Sequence, residues 1–379
     1  MVCATLGFVV WMLSAGVLAS AHQPQPIPFD VSGADAVWSS VCASAFLGVV
    51  GCGTTPLANN DLGMVVGTYS YTYPNTNDVM RGFLRMPDGA ITSFDAPGAG
   101  LENGQGTVAY AINNHGVIAG AFQDSSGVYH GFLRYPNGQF IPFGAPGAGT
   151  DPGEGTLATN INSKGATAGT YIDEYGVNHG FVRSARNDFT SFDPAGSVFT
   201  YPCEETCLNS IGAVAGFFVD ANSTYHGFVR GPGGKIKIID APYAGTGGGL
   251  GTIAASINAK GEITGYSVDS DGIAHVFIGY PEGSFASFQD PAASTAPGEG
   301  SAGFAINPIG AVTGEFNDQY TVMHGFERFR DGSFANFDAA GAGTGVWQGT
   351  RPSTNNAQGE VAGWFVDANS VNHGFVWMP

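Results

Sequence analysis

Apolar positions in residues 155 to 196, GTLATNINSKGATAGTYIDEYGVNHGFVRSARNDFTSFDPAG, fall in short runs separated by Gly, Asn, Asp and Ser. Short apolar runs bounded by turn-forming residues predict β-strands, not helices. Strand A ends at Ile161, strand B covers Ala168 to Ile172, strand C carries His179 to Arg183 and strand D runs from Phe189 to Phe192. The reversals are Asn-x-x-Gly between A and B, Asp-x-x-Gly or Asp-x-x-Ser between B and C, and Asp-Gly or Asn-Gly between C and D. Each suits a tight turn, so the segment is expected to form an antiparallel four-stranded sheet.

The same pattern recurs along the chain. His-Gly-Phe or a near variant starts at Arg81, His130, His179, His226, His275, His324 and His373, at intervals of 49, 49, 47, 49, 49 and 49 residues. Asn-x-x-Gly precedes each, at Asn60, Asn113, Asn162, Asn209, Asn258, Asn307 and Asn356. One small sheet cannot hide its apolar faces, and four-strand units at this period are the sequence form of propeller blades. The expected fold is all-β: a seven-bladed β-propeller of four-stranded antiparallel blades. The units lie near 54–100, 101–149, 150–198, 199–245, 246–294, 295–343 and 344–379 plus 26–30. Unit seven stops after strand C at Trp377-Met378-Pro379, whereas Ile27-Pro28-Phe29-Asp30 matches strand D of unit two, Ile141-Pro142-Phe143-Gly144. The N-terminal strand is therefore expected to close the last blade and leave no long free edge. An open β-solenoid gives no reason for the first strand to complete the last unit.

The run Ile-Asn-x-x-Gly-x-Val-x-Gly, followed about ten residues later by His-Gly-Phe, resembles the HAF-type repeats of extracellular bacterial proteins. The resemblance covers residues 57 to 379, with Gly in place of the middle Ala, Val276 in unit five and Arg81 replacing histidine in unit one. It implies secretion and a repeat fold, and carries no catalytic residue with it.

Composition sharpens the partner classes. With 13 basic residues against 31 acidic ones, the formal charge of −18 repels phosphate backbones, which excludes nucleic acid as the expected partner. Residues 4 to 19 form one apolar run and Ala19-Ser20-Ala21 supplies small residues before His22, so residues 1–21 are expected to be a cleaved signal peptide and 22–379 the single propeller domain. The leader carries no basic residue, and an uncleaved anchor is the alternative, although the run is short for a span. No membrane span is expected after cleavage, and the location is extracellular or periplasmic.

Repeat positions report architecture. Six of the eight histidines share one repeat position, which a metal ring or a hydrogen bond to a turn carbonyl in each blade would explain; the second reading is preferred. Arg85, Arg134, Arg183, Arg230 and Arg328 recur likewise. The turn aspartates Asp124, Asp173, Asp220, Asp269, Asp318 and Asp367 resemble pieces of calcium loops but are also the usual first residues of tight turns, so no cofactor is expected and calcium is the alternative.

Function is sought where units differ. The D-to-A connections are long and variable, and carry Trp38, Tyr201, Tyr243 and Trp347 beside Glu154, Glu204, Glu205 and Glu299. Aligned by its Leu208-Asn209 end, the segment SVFTYPCEETC places Glu204 and Glu205 where sister units have Leu157-Ala158 and Ile253-Ala254, with Arg351 of unit seven a candidate opposite charge. GxSxG, HExxH and Walker sequences are absent. The preferred reading is a secreted, non-catalytic binding module for a glycan, cation or protein, with Tyr201, Glu204, Glu205, Trp347, Arg351, Glu154 and Glu299 as ligand-binding candidates. One alternative is an extracellular glycan lyase or hydrolase using Glu204 or Glu205 at the channel mouth; another is a structural surface or matrix protein. Four cysteines follow the leader, and local pairing, Cys42 with Cys52 and Cys203 with Cys207, is expected because a bridge needs Cα atoms within about 7 Å.

Overall fold

The computed structural model describes residues 24–35, 52–72, 78–202 and 206–379. These residues form 28 β-strands and no helix. In the third unit Gly155–Ile161, Thr167–Ile172, Asn178–Arg183 and Phe189–Phe192 pair antiparallel in sequence order. Strand D agrees with its expected limits, and A to C agree to within a residue. Neighbouring units meet through their A strands and through a short parallel contact of strand A with the preceding strand C, such as Gly155 with Tyr129 and Gly349 with Met323.

The third residue of each His-Gly-Phe triplet builds the core between units. Phe83, Phe132, Phe181, Phe228, Phe277, Phe326 and Phe375 are all at most 1% exposed. In five units, at Gly82, Gly131, Gly180, Gly325 and Gly374, the middle residue is a glycine onto which strand D folds its phenylalanine. A Cβ on Gly82 would stand 2.5 Å from the Phe94 ring, and one on Gly131 would stand 2.8 Å from Phe143. That close approach accounts for the departure from alanine. The strand C arginines then cover the D-strand phenylalanine of the preceding unit: Arg134 lies 4.6 Å from the Phe94 centroid, Arg183 4.6 Å from Phe143 and Arg328 4.5 Å from Phe288. The apolar stem is buried and the guanidinium rests on a ring face, so these arginines are structural.

The ends of the chain meet in the same way. Ile27–Phe29 pairs antiparallel with Val371–Trp377, placing Phe29 opposite Gly374 as Phe143 is opposite Gly131. Arg85 of unit one sits 4.9 Å over Phe29, in the place that Phe94 takes for Arg134. Phe29 packs edge-on to Phe83 at 6.0 Å, matching Phe337 on Phe375 at 5.9 Å. Thr54 accepts the Val31 amide, just as Thr156 accepts that of Ala145. Unit one thus packs on the last unit through the contacts that join units two and three, and the extra length between Val31 and Thr54 leaves them intact.

Candidate binding face

Antiparallel order puts the A–B and C–D turns at one end of every unit and the B–C turns and D–A loops at the other. The first end is closed by asparagine. Nδ2 of Asn60, Asn113, Asn162, Asn209, Asn258, Asn307 and Asn356 each donates to the backbone carbonyl of the next, and Asn356 returns to Asn60, at 2.9 to 3.3 Å. Each Oδ1 also accepts two amides of its own turn, as Asn162 does from Lys164 and Ala166. Donor and acceptor of each amide are consumed internally, so the shallow 210 Å³ depression around this ring offers a ligand little.

At the other end the turn aspartates act as turn residues. Asp124 Oδ1 accepts the Ser126 and Val128 amides, and its other oxygen meets His130 Nε2 at 2.9 Å. The repeated histidines thus bind carboxylates, whereas the sequence suggested a turn carbonyl. Several are held twice: His179 contacts Asp173 and Asp193, and His373 contacts Asp367 and Asp30, the latter on the N-terminal strand. Burial opposes charge on His179, but its two aspartates outweigh it and raise its pKa. For His324 and His373 the hydrogen bonds to Asp338 and Asp30 lead and likewise raise the pKa. Burial opposes ionisation of Asp124 and Asp269, yet their histidine and backbone donors hold both below the usual carboxylate range. Among the described residues no group of three or more His, Cys, Asp and Glu is arranged to hold a metal ion.

The sequence-derived candidates disperse. Glu204, Glu205, Cys42, Cys203 and Trp38 lie outside the described residues. The register corrects the alignment that placed the two glutamates: Tyr201 pairs with Phe217 and Pro202 with Gly216, as Leu157 pairs with Thr170 and Ala158 with Gly169. The counterparts of Leu157-Ala158 are therefore Tyr201-Pro202. Sister units have only Thr159 before strand A resumes, whereas unit four has residues 203–206 before Cys207 accepts the Ala215 amide. Matching from the Asn209 end cannot reveal such an insertion. Tyr201 stacks with Phe199 and packs on Phe217.

Arg351 does have an acidic partner, Glu315, 3.5 Å from its Nε, and lies over Phe304 and Trp364. Burial raises the Glu315 pKa and Arg351 partly offsets it. Glu154 accepts the Asp151 amide within its own loop, as Gln105 accepts that of Glu102 and Gln348 that of Gly345. Glu299 accepts the Thr321 hydroxyl from the B–C turn of its own unit. Cys52 and Cys207 are fully buried and each is disulfide-bonded.

Exposed aromatic rings mark this end, and the sequence singled out Tyr243 and Trp347 among them but not Tyr175 and Tyr320. Tyr175, Tyr243, Tyr320 and Trp347, 55% to 83% exposed, all belong to B–C turns or D–A loops. Tyr243 and Trp347 hold left-handed backbone, at φ +72° and +59°, a strained conformation for bulky residues. Trp347 is fixed there by its amide donating to the Thr321 carbonyl at 2.9 Å.

No family model matches the chain, and no curated protein is similar to it. Solved structures share the fold at low identity. Puromycin hydrolase is 11% identical with a TM-score of 0.55 over 87% of this chain and 52% of its own, so the chain spans about half of that enzyme's length. The BP39L lectin from Burkholderia pseudomallei is 13% identical with a TM-score of 0.52, covering 85% of this chain and 95% of the lectin. These likenesses place the chain among propeller-like all-β folds.

Proposed function

We propose that the chain is an exported, closed seven-bladed propeller that binds glycans, without turning them over, on the face made by its B–C turns and D–A loops. One observation carries the reading: every large aromatic side chain exposed among the described residues lies on that face. An exposed ring costs solvation and strained backbone costs more, and both persist at Tyr243 and Trp347. Aromatic faces stack on the C–H surface of sugars while nearby polar groups take the hydroxyls. The lectin likeness is consistent with this use of the scaffold. Closure is supported by the asparagine ring and by the repeat-like packing of Phe29 and Arg85 across the chain ends. Export is supported by the apolar leader, and local pairing of Cys42 with Cys52 and Cys203 with Cys207 completes the assignment.

A glycan array probed with the wild-type protein and with Tyr243→Ala/Trp347→Ala tests the reading. Binding by the wild type and loss of signal in the double variant are expected. An unchanged signal in the double variant, or no glycan bound by either, contradicts it.

A further inference from the structure

On the same face, between strand C of unit one and the D–A loop that follows it, a pocket of about 340 Å³ opens, lined by Tyr71, Val79, Met80, Arg81, Asp95 and Leu101 among others. Its volume falls in the range of small-molecule sites, about 300 to 1,000 Å³. Arg81 stands where the other six units carry histidine. Its Nε and Nη2 hold both Asp95 oxygens at 2.6 to 3.1 Å, and its guanidinium lies 5.6 Å from the centre of the Tyr71 ring. Among the described residues Nη1 donates no hydrogen bond.

The contrast with the sister units is chemical. In unit three both ring nitrogens of His179 are spent on Asp173 and Asp193, which leaves no donor for a guest. Replacing imidazole by guanidinium keeps the clamp on Asp95 and adds a donor, Nη1, that no described residue accepts from. The Arg81–Asp95 pair is neutral as a unit, and the whole chain carries −18, so the site does not select an anion. What it offers is a donor and an acceptor side by side, beside an apolar wall of Val79, Met80 and Leu101. A vicinal diol on a pyranose ring presents the complement: each hydroxyl donates and accepts, and the ring's C–H face is apolar.

We propose that this pocket binds a neutral hexopyranose, with Arg81 and Asp95 bridging two adjacent hydroxyls. The inference rests on the glycan reading of the loop face and names one site within it. Arg81→His restores the residue of the other units and so suits the fold. Calorimetric titration with methyl glycosides of the common hexoses should show binding by the wild type and at least about tenfold weaker binding by Arg81→His, the scale of a lost charge-assisted hydrogen bond. Leu101→Glu, on an exposed loop position, should weaken binding to the same extent, while Ile211→Ala, exposed in an A–B turn at the opposite end, should stay within about twofold of the wild type. Binding by Arg81→His and Leu101→Glu within twofold of the wild type overturns the site. Array glycans bound while no methyl glycoside is bound also overturns it and leaves the loop-face reading standing; no binding of either kind removes both.

Discussion

Asparagine is required at the ring position because its amide has both a donor and acceptors. In Asn209, Nδ2 reaches the Asn258 carbonyl at 3.2 Å while Oδ1 takes the Ile211 and Ala213 amides. Aspartate keeps the acceptors and loses the donor, setting a buried carboxylate against a carbonyl. Asn209→Asp should therefore cost about 1 to 3 kcal/mol in urea unfolding, and a loss under about 0.5 kcal/mol would show the ring to be incidental. The histidine clamps make stability depend on pH. His179, His324 and His373 have raised folded pKa values, so their contribution is complete below 6.5 and is lost as pH rises through those values. The turn aspartates, with lowered values, contribute above 3.8 and lose it in acid. Glu327, 1% exposed in the core, has a pKa raised by burial to about 7 against 4.5, so its ionisation weakens the fold between those values. The melting temperature should be higher at pH 5 than at pH 8. Glu327→Gln should recover about 2 to 3 kcal/mol at pH 8. A variant whose melting temperature tracks the wild type at both pH values would refute the buried-carboxyl account. The sequence exposed the histidine and aspartate repeats but not their pairing, because residues 6 and 14 apart become neighbours only once strands B, C and D are aligned.

Strand boundaries were legible because each unit repeats the same apolar runs and turn residues: strand D of unit three is Phe189–Phe192 as expected. The failure came at strand A of unit four, where residues 203–206 replace a single Thr159 and the invariant Asn209 hides the added length. The N-terminal strand was legible for the opposite reason, since Ile27-Pro28-Phe29 repeats Ile141-Pro142-Phe143 in sequence and in register. Its removal should expose the edge of Val371–Trp377, strip the ring from beneath Arg85 and free His373 from Asp30. A protein lacking residues 22–31 should lose several degrees of melting temperature, and a synthetic peptide spanning 24–31 should restore it when added in trans. A truncated protein as stable as the parent would contradict the closing role.

At the scale of the molecule, seven near-identical units give a scaffold with one repetitive end and one variable end. The asparagine ring and covered phenylalanines set the first, and D–A loops of differing length and aromatic content set the second. A high acidic charge suits a surface that rejects polyanions and meets neutral ligands. The ends of the chain are placed as the two sides of a missing C–D turn: Val376 pairs with Ile27, as Leu133 pairs with Ile141 across Asn137-Gly138. Pro379 is then the counterpart of Pro136 and Gln25 that of Gln139. Joining Pro379 to Gln25 through Asn-Gly should complete that hairpin, and new ends can be opened between Gly247 and Gly248, where an added Cβ meets nothing within 4 Å. The thermal unfolding of this circular permutant tests the closed ring most directly. A single cooperative transition within a few degrees of the parent is predicted, whereas a permutant that is unfolded, or that folds only as an oligomer, would contradict closure by the chain's own first strand.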